Sequence, residues 1–197
     1  MENNINFIET EADRIRIELV DNKPLNVDGI NGTFYAIGKK PIYGIAIQDG
    51  RPLEANSYVS NFEGLKRGTI WFDGNNMSVG MIYNIRTEVH TDVRWAISGI
   101  SLYPVWNTKK EGFVGPYMDV LRATAHTAIG FRGRKVYLIA SDRKYTLEEF
   151  RNRILNSSIA FDGLIALDGG GSTQMRFNGK DIVKSVRKLN HCVRILD

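Results

Sequence analysis

Alternating apolar and polar positions dominate the first half of the chain and predict β-strands. The segment RIRIELV (residues 14–20) has the period of two that is typical of a half-buried strand. The segment PIYGIAIQDGRPLEA (41–55) predicts a hairpin, because an apolar run meets an Asp49-Gly50 turn. GTIWFDGNNMSVGMIYNI (68–85) repeats this pattern around Asp73-Gly74, and glycine supplies the positive φ that tight turns require.

Further hairpins are expected in the second half of the chain. HTAIGF (126–131) and KVYLIAS (135–141) predict two strands that flank a short turn, and Asn178-Gly179 predicts the turn of a last hairpin. A closing strand is expected at residues 192–196. Prolines, glycines and lysines are scattered between residues 103 and 118, so this stretch is expected to be an irregular loop.

One helix is predicted in this half, and it leads to a buried strand. Thr146 and Glu149 have the spacing of a capping box, which opens the helix TLEEFRNRILNSS (146–158). The apolar strand LIAL (164–167) then ends at Asp168. Together these elements predict an α+β fold of mixed, largely antiparallel sheets built from hairpins, with few helices packed on them.

Composition is that of an ordinary globular protein. With 197 residues, of which 43% are hydrophobic, the chain is expected to form a single domain over residues 1–197. The net charge of +4 favours anionic ligands, but the basic residues are scattered, which argues against a nucleic-acid partner. The densest basic runs, KKEG (109–112) and KSVRK (184–188), are expected to be solvated loops.

The single cysteine and the N-terminal segment limit the remaining classes. Cys192 rules out an internal disulfide and a multi-cysteine zinc site. The N-terminal residues lack the pattern expected of a signal peptide, and no apolar run approaches the roughly 20 residues needed for a membrane span. We therefore expect a soluble protein, with its compartment and oligomeric state left open.

The segment DGGGST (168–173) is the strongest candidate for chemistry. Three glycines without Cβ atoms allow close approach of a ligand to the backbone, and such a turn can direct N–H groups at an anion. A tight structural turn is the alternative. A phosphate-binding P-loop is excluded because no lysine precedes Ser172, and a nucleophile elbow is excluded because Thr173 and Gln174 follow it.

LDGGGST (167–173) resembles the signature of the phosphodiester glycosidase family. Other segments resemble the family's motifs in the same order, namely INGTFY (30–35), GIAIQDGRPL (44–53), WAISGI (95–100), HTAIGF (126–131) and TLEEF (146–150). The chain departs from the family pattern at two of these motifs. His126 stands where the family commonly has an arginine, with Arg122 four residues earlier, and Thr33 stands where a glycine is usual.

The resemblance implies a hydrolase that cleaves the bond between a sugar's anomeric carbon and phosphate in a sugar-1-phosphodiester. Asp168 is expected to be the base or nucleophile, Asn31 to bind a sugar hydroxyl or phosphate oxygen, and His126 to donate a proton or bind phosphate. The expected substrate-binding residues are Gly32, Gly169, Gly170, Gly171, Ser172, Thr173 and Arg122.

Each catalytic candidate has a structural alternative, and so does the function. Asp168 could cap a strand end, Asn31 could form an Asx-turn, and His126 could be a buried structural ring. No cofactor is expected, and no metal either, because His90 and Asp92 share one predicted strand face without a third ligand. The alternative functions are a glycan-phosphate binding module that retains the pocket without turnover, and a structural subunit of a larger assembly.

Overall fold

Two antiparallel β-sheets and two short α-helices make up the computed structural model, which describes residues 4–37 and 41–197. The strands are β1 (Ile5–Glu11), β2 (Ile15–Lys23), β3 (Gly29–Asn31), β4 (Ala46–Gln48), β5 (Arg51–Pro52), β6 (Arg67–Phe72), β7 (Met77–Ile82), β8 (Trp95–Tyr103), β9 (Thr127–Arg132), β10 (Lys135–Ser141), β11 (Gly163–Ala166), β12 (Met175–Phe177), β13 (Lys180–Val183) and β14 (Leu189–Ile195). The α-helices are α1 (Ile85–Glu88) and α2 (Leu147–Leu155), and the 3₁₀ helices are Ala12–Arg14, Gly115–Leu121 and Gly170–Ser172.

The larger sheet has nine strands and the smaller has five. The larger follows the order β1-β10-β9-β11-β8-β4-β5, with β6 pairing β8 and β7 in addition. The smaller follows the order β13-β12-β3-β14-β2. Their strand pairs are antiparallel, so the expected α+β class with largely antiparallel sheets is confirmed.

The hairpins form at the turns that the sequence indicates. Asp49 and Gly50 join β4 to β5 with φ values of 50° and 71°, and Asn178 and Gly179 join β12 to β13 with φ values of 51° and 73°. Two successive residues with positive φ match the right-handed twist of the flanking strands. Gly133 in the β9–β10 turn also has a positive φ, 56°.

The expected capping box opens α2. The Thr146 side chain accepts from the backbone N–H of Glu149, and the Glu149 side chain accepts from the backbone N–H of Thr146. The helix ends at Leu155, three residues before the end of the predicted segment. Among the described residues, no helix has both the length and the apolar character needed to cross a membrane.

Apolar side chains fill two layers, one on each face of the larger sheet. Ile17, Ile30 and Val193 of the smaller sheet share one cluster with Ile129 and Ile165 of the larger. On the opposite face, the apolar residues of α2 pack against the sheet in a second cluster. Strands β9, β10 and β11 are therefore covered on both faces, which explains why their sequences are nearly continuous apolar runs and do not alternate.

Some elements differ from the sequence prediction. Strand β1 was not predicted, although its pairing with β10 extends over seven residues. His90 and Asp92, expected to share a strand face, lie in the connection between α1 and β8, where no strand forms. The expected irregular stretch at residues 103–118 is confirmed from Pro104 to Val114, because Tyr103 still belongs to β8 and the Gly115–Leu121 3₁₀ helix follows.

Candidate active site

Three strand ends meet where β11 leaves the larger sheet. β11 is followed by Asp168, β3 ends at Asn31, and β9 begins at Thr127. The Asp168 backbone is held on both sides: its N–H donates to the Gly32 carbonyl at 3.2 Å, and its carbonyl accepts from Thr127 Oγ1 at 2.6 Å. The backbone at Asp168 is thus fixed by residues of both sheets.

Asn31 lies beside Asp168, but its amide is turned toward the protein. Its Nδ2 donates to the Asp168 carbonyl at 2.7 Å and to the Gly32 carbonyl at 3.2 Å. Asn31 Oδ1 accepts from the Gln174 N–H at 3.1 Å and lies 3.0 Å from Thr127 Oγ1, whose one proton is shared with the closer Asp168 carbonyl. Both amide hydrogens are therefore used within the protein. The geometry indicates that Asn31 positions Asp168, and its contact with substrate stays a prediction.

The glycine run forms a 3₁₀ turn whose polar groups mostly point inward. The Gly170 N–H and the Thr173 hydroxyl both donate to the Ala125 carbonyl, at 2.8 and 3.0 Å. The N–H groups of Ser172 and Thr173 donate to the carbonyls of Gly169 and Gly170. Gly170 has a φ of 61°, which favours glycine. These contacts stabilise the turn, and binding of substrate oxygens by the glycine run, Ser172 and Thr173 stays a prediction.

Gly32 has a packing role that the sequence did not indicate. A Cβ at this position would lie 2.2 Å from the His191 ring, on the strand next to β3. His191 is buried, accepts from the Thr33 N–H at 2.9 Å through Nε2, and has its pKa lowered to about 3 by burial. Gly32 is thus required for close packing against a neutral ring, and its contact with substrate stays a prediction.

The Asp168 carboxylate is the main ionisable group at this strand exit. Burial raises its pKa to about 6, while the Ser172 side chain, Arg187 and the Gly169 N–H act in the opposite direction by stabilising the charged form. The Gly169 N–H donates to Asp168 Oδ1 at 3.0 Å. With a pKa of about 6, the carboxyl is mostly ionised at neutral pH and remains basic enough to accept a proton.

A basic segment folds back onto the glycine run. We call residues 184–188 the basic strap. Three hydrogen bonds fix it: Ser185 Oγ donates to the Gly171 carbonyl at 2.6 Å, Gln174 Nε2 donates to the Arg187 carbonyl at 3.0 Å, and Tyr35 Oη donates to the carbonyl of the last strap residue at 2.7 Å. The strap is therefore a wall of the site and not the freely solvated loop that its composition suggested.

Arg187 is the functional candidate that the sequence did not identify. Its guanidinium lies against Gly171, where a Cβ would be 2.5 Å from Nη2, and Nη1 is 3.4 Å from Ser172 Oγ. Tyr35 Oη lies 3.5 Å from the same Ser172 oxygen. Strand β14 pairs β3 with Cys192 opposite Asn31, so residues before β14 necessarily lie beside residues after β3. Only this pairing could have indicated the position of Arg187.

His126 lies under the glycine run and is largely enclosed. Its Nε2 is 2.7 Å from the Tyr145 carbonyl, and its ring stacks on Phe150 with 5.3 Å between centroids. The side chain is buried, and burial lowers its pKa. A neutral imidazole is therefore expected at neutral pH, and a role of His126 as proton donor or phosphate ligand stays a prediction.

These residues border one cleft, which has a volume of about 150 Å³. Asp168, the three glycines and Arg187 line it together with His126 and Arg122. Arg122 lies at the rim, mostly exposed and paired with Asp119. Among the described residues, no group of three or more His, Cys, Asp or Glu side chains has the arrangement of a metal site. The arrangement can hold an anion between Arg187 and Arg122 with a carboxylate beside it.

The fold and the glycine-rich strand exit are those of the phosphodiester glycosidases. Residues 27–193 match the phosphodiester glycosidase family, and the chain belongs to this family. This match covers most of the chain and includes INGTFY, the glycine run and most of β14. A comparison with curated proteins finds no match.

Solved structures share the fold at low sequence identity. The catalytic domain of zebrafish N-acetylglucosamine-1-phosphodiester alpha-N-acetylglucosaminidase, auto-inhibited by its pro-peptide, superposes with a TM-score of 0.70 at 15% identity, over 98% of this chain and 83% of that chain. A hypothetical protein from Synechocystis superposes with a TM-score of 0.71 at 11% identity, over 97% of this chain and 58% of that one. At these identities the similarity concerns the fold.

Proposed function

We propose that this chain, as a single catalytic domain over residues 1–197, hydrolyses the bond between a sugar's anomeric carbon and a phosphate oxygen in a sugar-1-phosphodiester. The observation that carries the proposal is the half-buried Asp168 carboxylate, placed beside Ser172 and Arg187 in the cleft. Membership of the phosphodiester glycosidase family supports this reaction class.

The leaving group explains why one carboxylate suffices. Most glycosidases use two carboxyl groups, one of which protonates the departing oxygen. Here the leaving group is a phosphomonoester, whose second pKa is about 6, so it departs as a stable anion. Asp168, ionised at neutral pH, is then free to attack the anomeric carbon or to take a proton from the attacking water.

Arg187 is the proposed phosphate ligand. A guanidinium binds phosphate oxygens through two parallel hydrogen bonds, and it stays charged at any physiological pH. Arg187 lies against Gly171 because glycine leaves space for it. Arg122 at the rim is a second candidate cation, since its partner Asp119 is exposed and is readily exchanged for an anionic substrate.

Asn31 and Thr127 act as positioning residues in this proposal. Both donate to the Asp168 carbonyl, which fixes the backbone from which the carboxylate projects. A carboxylate that is held in place before substrate arrives needs little reorganisation in the transition state. The sugar phosphodiester is the proposed substrate, and the site is proposed to need no cofactor.

A product assay tests the proposal. Sugar-1-phosphodiesters of different sugars are incubated with the protein, and reducing sugar and phosphomonoester are measured in parallel. We expect both products in equal amounts from the wild type and none from Asp168→Asn, while Asp13→Asn, an exposed control outside the cleft, keeps full turnover. Lack of turnover by the wild type on the whole panel would refute the proposal.

The binding module is the second candidate function. It is favoured by one observation: the cation commonly found before the Thr-Ala-Ile-Gly strand is absent, and the neutral His126 occupies that position. Saturable binding of the same compounds without release of reducing sugar would support this candidate over the enzyme.

A further inference from the structure

The cleft lining contains both charged and apolar side chains. Asp168 and Arg187 lie next to the glycine run. The apolar part of the lining, which we call the apolar wall, consists of Phe34, Ile100, Val120, Leu147 and Leu167. Four of these five residues belong to or pack against the cluster between α2 and the larger sheet.

Phe34 forms the accessible aromatic part of this wall. Phe34 and Tyr35 are neighbours in the chain with different surroundings: Tyr35 reaches Ser172 and the basic strap, whereas Phe34 contacts Phe113 with 5.8 Å between ring centroids. Phe34 is only half-buried and borders the cleft. Its ring is therefore available to a ligand whose phosphate is held by Arg187 in the same cleft.

The partly buried Arg67 supports the ring from behind. The Arg67 guanidinium lies 4.7 Å from the centroid of Phe113 and 5.8 Å from that of Phe34. Arg67 in turn donates to the Glu111 carbonyl at 3.3 Å, and the fully buried Glu111 carboxylate accepts from the Gly68 N–H at 2.9 Å. A guanidinium that stacks on two rings and is anchored by hydrogen bonds restricts the movement of Phe34.

The connectivity of a sugar phosphodiester allows the phosphate to contact Arg187 while the sugar ring contacts the apolar wall. In a sugar-1-phosphodiester the anomeric carbon is bonded to a phosphate oxygen. If Asp168 acts at this carbon and Arg187 holds the phosphate, the sugar ring must lie beside both side chains. The cleft volume of about 150 Å³ is that of a cavity that holds one six-membered ring. A pyranose presents C–H groups on its faces, and these suit an aromatic surface.

We infer that Phe34 is the platform on which the pyranose ring of the substrate stacks, with Arg67 as the residue that positions it. This inference deepens the proposed function and rests on it for the placement of the phosphate. It assigns the sugar to the apolar wall at Phe34 and the phosphate to Arg187. Substrate specificity is then set by the sugar face that contacts Phe34.

Ligands that carry only the phosphate, only the sugar or both test this inference without turnover. Binding of inorganic phosphate, of methyl pyranosides and of the matching sugar 1-phosphates is measured calorimetrically with the wild type, Phe34→Leu and Arg187→Met. We expect Phe34→Leu to lower the affinity for the pyranoside and for the sugar 1-phosphate about tenfold, and to leave the affinity for inorganic phosphate unchanged. Arg187→Met is expected to lower the affinity for inorganic phosphate and for the sugar 1-phosphate, but not that for the pyranoside.

Kinetics and controls distinguish this inference from the proposed function. Where a phosphodiester is turned over, Phe34→Leu should raise KM about tenfold with little change in kcat, and Arg67→Met should give a smaller effect in the same direction. Phe62→Leu, at a half-exposed phenylalanine outside the cleft, should change neither KM nor kcat. Circular dichroism monitors the fold of each variant.

Two results would overturn the stacking role. One is turnover with unchanged KM in Phe34→Leu. The other is sugar binding that is absent from the wild type or is equal in the wild type and Phe34→Leu. If the wild type turns over no phosphodiester but the two variants still separate phosphate from pyranoside binding, the proposed function fails and the subsite stands.

Discussion

Asp168 combines a structural disadvantage with a chemical advantage. Burial disfavours its charged form, and the Ser172 side chain, Arg187 and the Gly169 N–H compensate only in part, so its pKa is raised to about 6. The folded state therefore binds a proton at Asp168 more tightly than the unfolded state does. A carboxylate with such a raised pKa suits the base or nucleophile role that we propose for Asp168, because perturbed pKa values are common at functional sites.

Asp168→Asn should be more stable than the wild type at neutral pH. Since the folded pKa is above the unfolded one, the ionised side chain destabilises the fold above about pH 6, and this destabilisation disappears as the pH falls below about 4. We expect the free energy of unfolding at pH 7 to rise by on the order of 2 kcal/mol. Urea unfolding at pH 7 and pH 4 measures it. A variant less stable than the wild type at pH 7 would contradict this view of the site.

The pH dependence of turnover should follow the same group. If the ionised Asp168 is required, kcat/KM should fall about tenfold per unit below pH 6 and level off above it. Arg187 lowers the pKa of Asp168, so Arg187→Met should shift the pH at which kcat/KM begins to fall to a higher value. Lys184→Ala, at an exposed strap position, should not shift it. His126, whose pKa is lowered by burial, should not contribute near neutrality. A profile that is flat between pH 5 and 8 would exclude Asp168 as the ionising group.

Single residues were predictable where the signal was local. Asp168 and the glycines form one short segment whose chemistry can be recognised without knowledge of the fold. The roles of Asn31, Thr173 and Gly32 were not predictable in detail, because an exposed and an inward-facing side chain look identical in a sequence. Only the described hydrogen bonds show that both hydrogens of the Asn31 amide donate to backbone carbonyls.

Among the elements, the basic strap shows how packing against the glycine run fixes the position of the Arg187 guanidinium. Gly171 presents no Cβ to the Arg187 guanidinium, and Ser185 fixes the strap to the Gly171 carbonyl. A strap with the same composition but without these contacts would be a solvated loop. The cation therefore depends on the glycine run as much as Asp168 does.

Gly171→Ala should displace Arg187 without unfolding the protein. The new Cβ would lie 2.5 to 2.8 Å from three guanidinium atoms, and the end of an arginine side chain can move away at little cost. We expect affinity for inorganic phosphate to fall at least about tenfold, as it does when a charge-assisted hydrogen bond is lost. Titration calorimetry measures the affinity, with Lys184→Ala as the control. Unchanged phosphate affinity would mean that Arg187 is not the phosphate ligand.

The junction of β6 and β8 depends on Glu111. Its carboxylate accepts from the Gly68 N–H at 2.9 Å and from the Ser101 N–H at 3.0 Å. Glu111→Ala would leave two buried amides without partners, and we expect a loss of about 3 kcal/mol of unfolding free energy. Urea unfolding measures the loss, with the exposed Glu11→Gln as the control. A loss equal to that of the control would show that water replaces the carboxylate.

Elements could be predicted from turns and caps more readily than from apolar runs. Asp49-Gly50, Asn178-Gly179 and the capping box of α2 each form as the sequence indicates, because their geometry is local. The predicted strand face of His90 and Asp92 was wrong, since alternation alone does not ensure a pairing partner. Strand β1 owes its existence to β10, which is more than a hundred residues away.

For the whole molecule, the active site is a product of long-range pairing. Asn31 and Asp168 are separated by 137 positions and are joined by a 2.7 Å hydrogen bond. β3 belongs to the smaller sheet and β11 to the larger, so the site forms only when the two sheets pack together. The fold class could be predicted because hairpins dominate, whereas the order of strands could not, because nothing local specifies which hairpin lies beside which.

The central claim is that the bond broken is the one at the anomeric carbon, and hydrolysis in water enriched in ¹⁸O tests it most directly. A sugar-1-phosphodiester that the protein turns over is hydrolysed in this water, and both products are analysed by mass spectrometry under conditions that limit exchange at the reducing sugar. The account predicts that ¹⁸O enters the sugar at its anomeric carbon and that the phosphomonoester carries none, because water or Asp168 attacks carbon. Incorporation of ¹⁸O into the phosphomonoester would mean that the phosphorus–oxygen bond is cleaved, and it would contradict the proposed role of Asp168 and the assignment of a glycosidase activity.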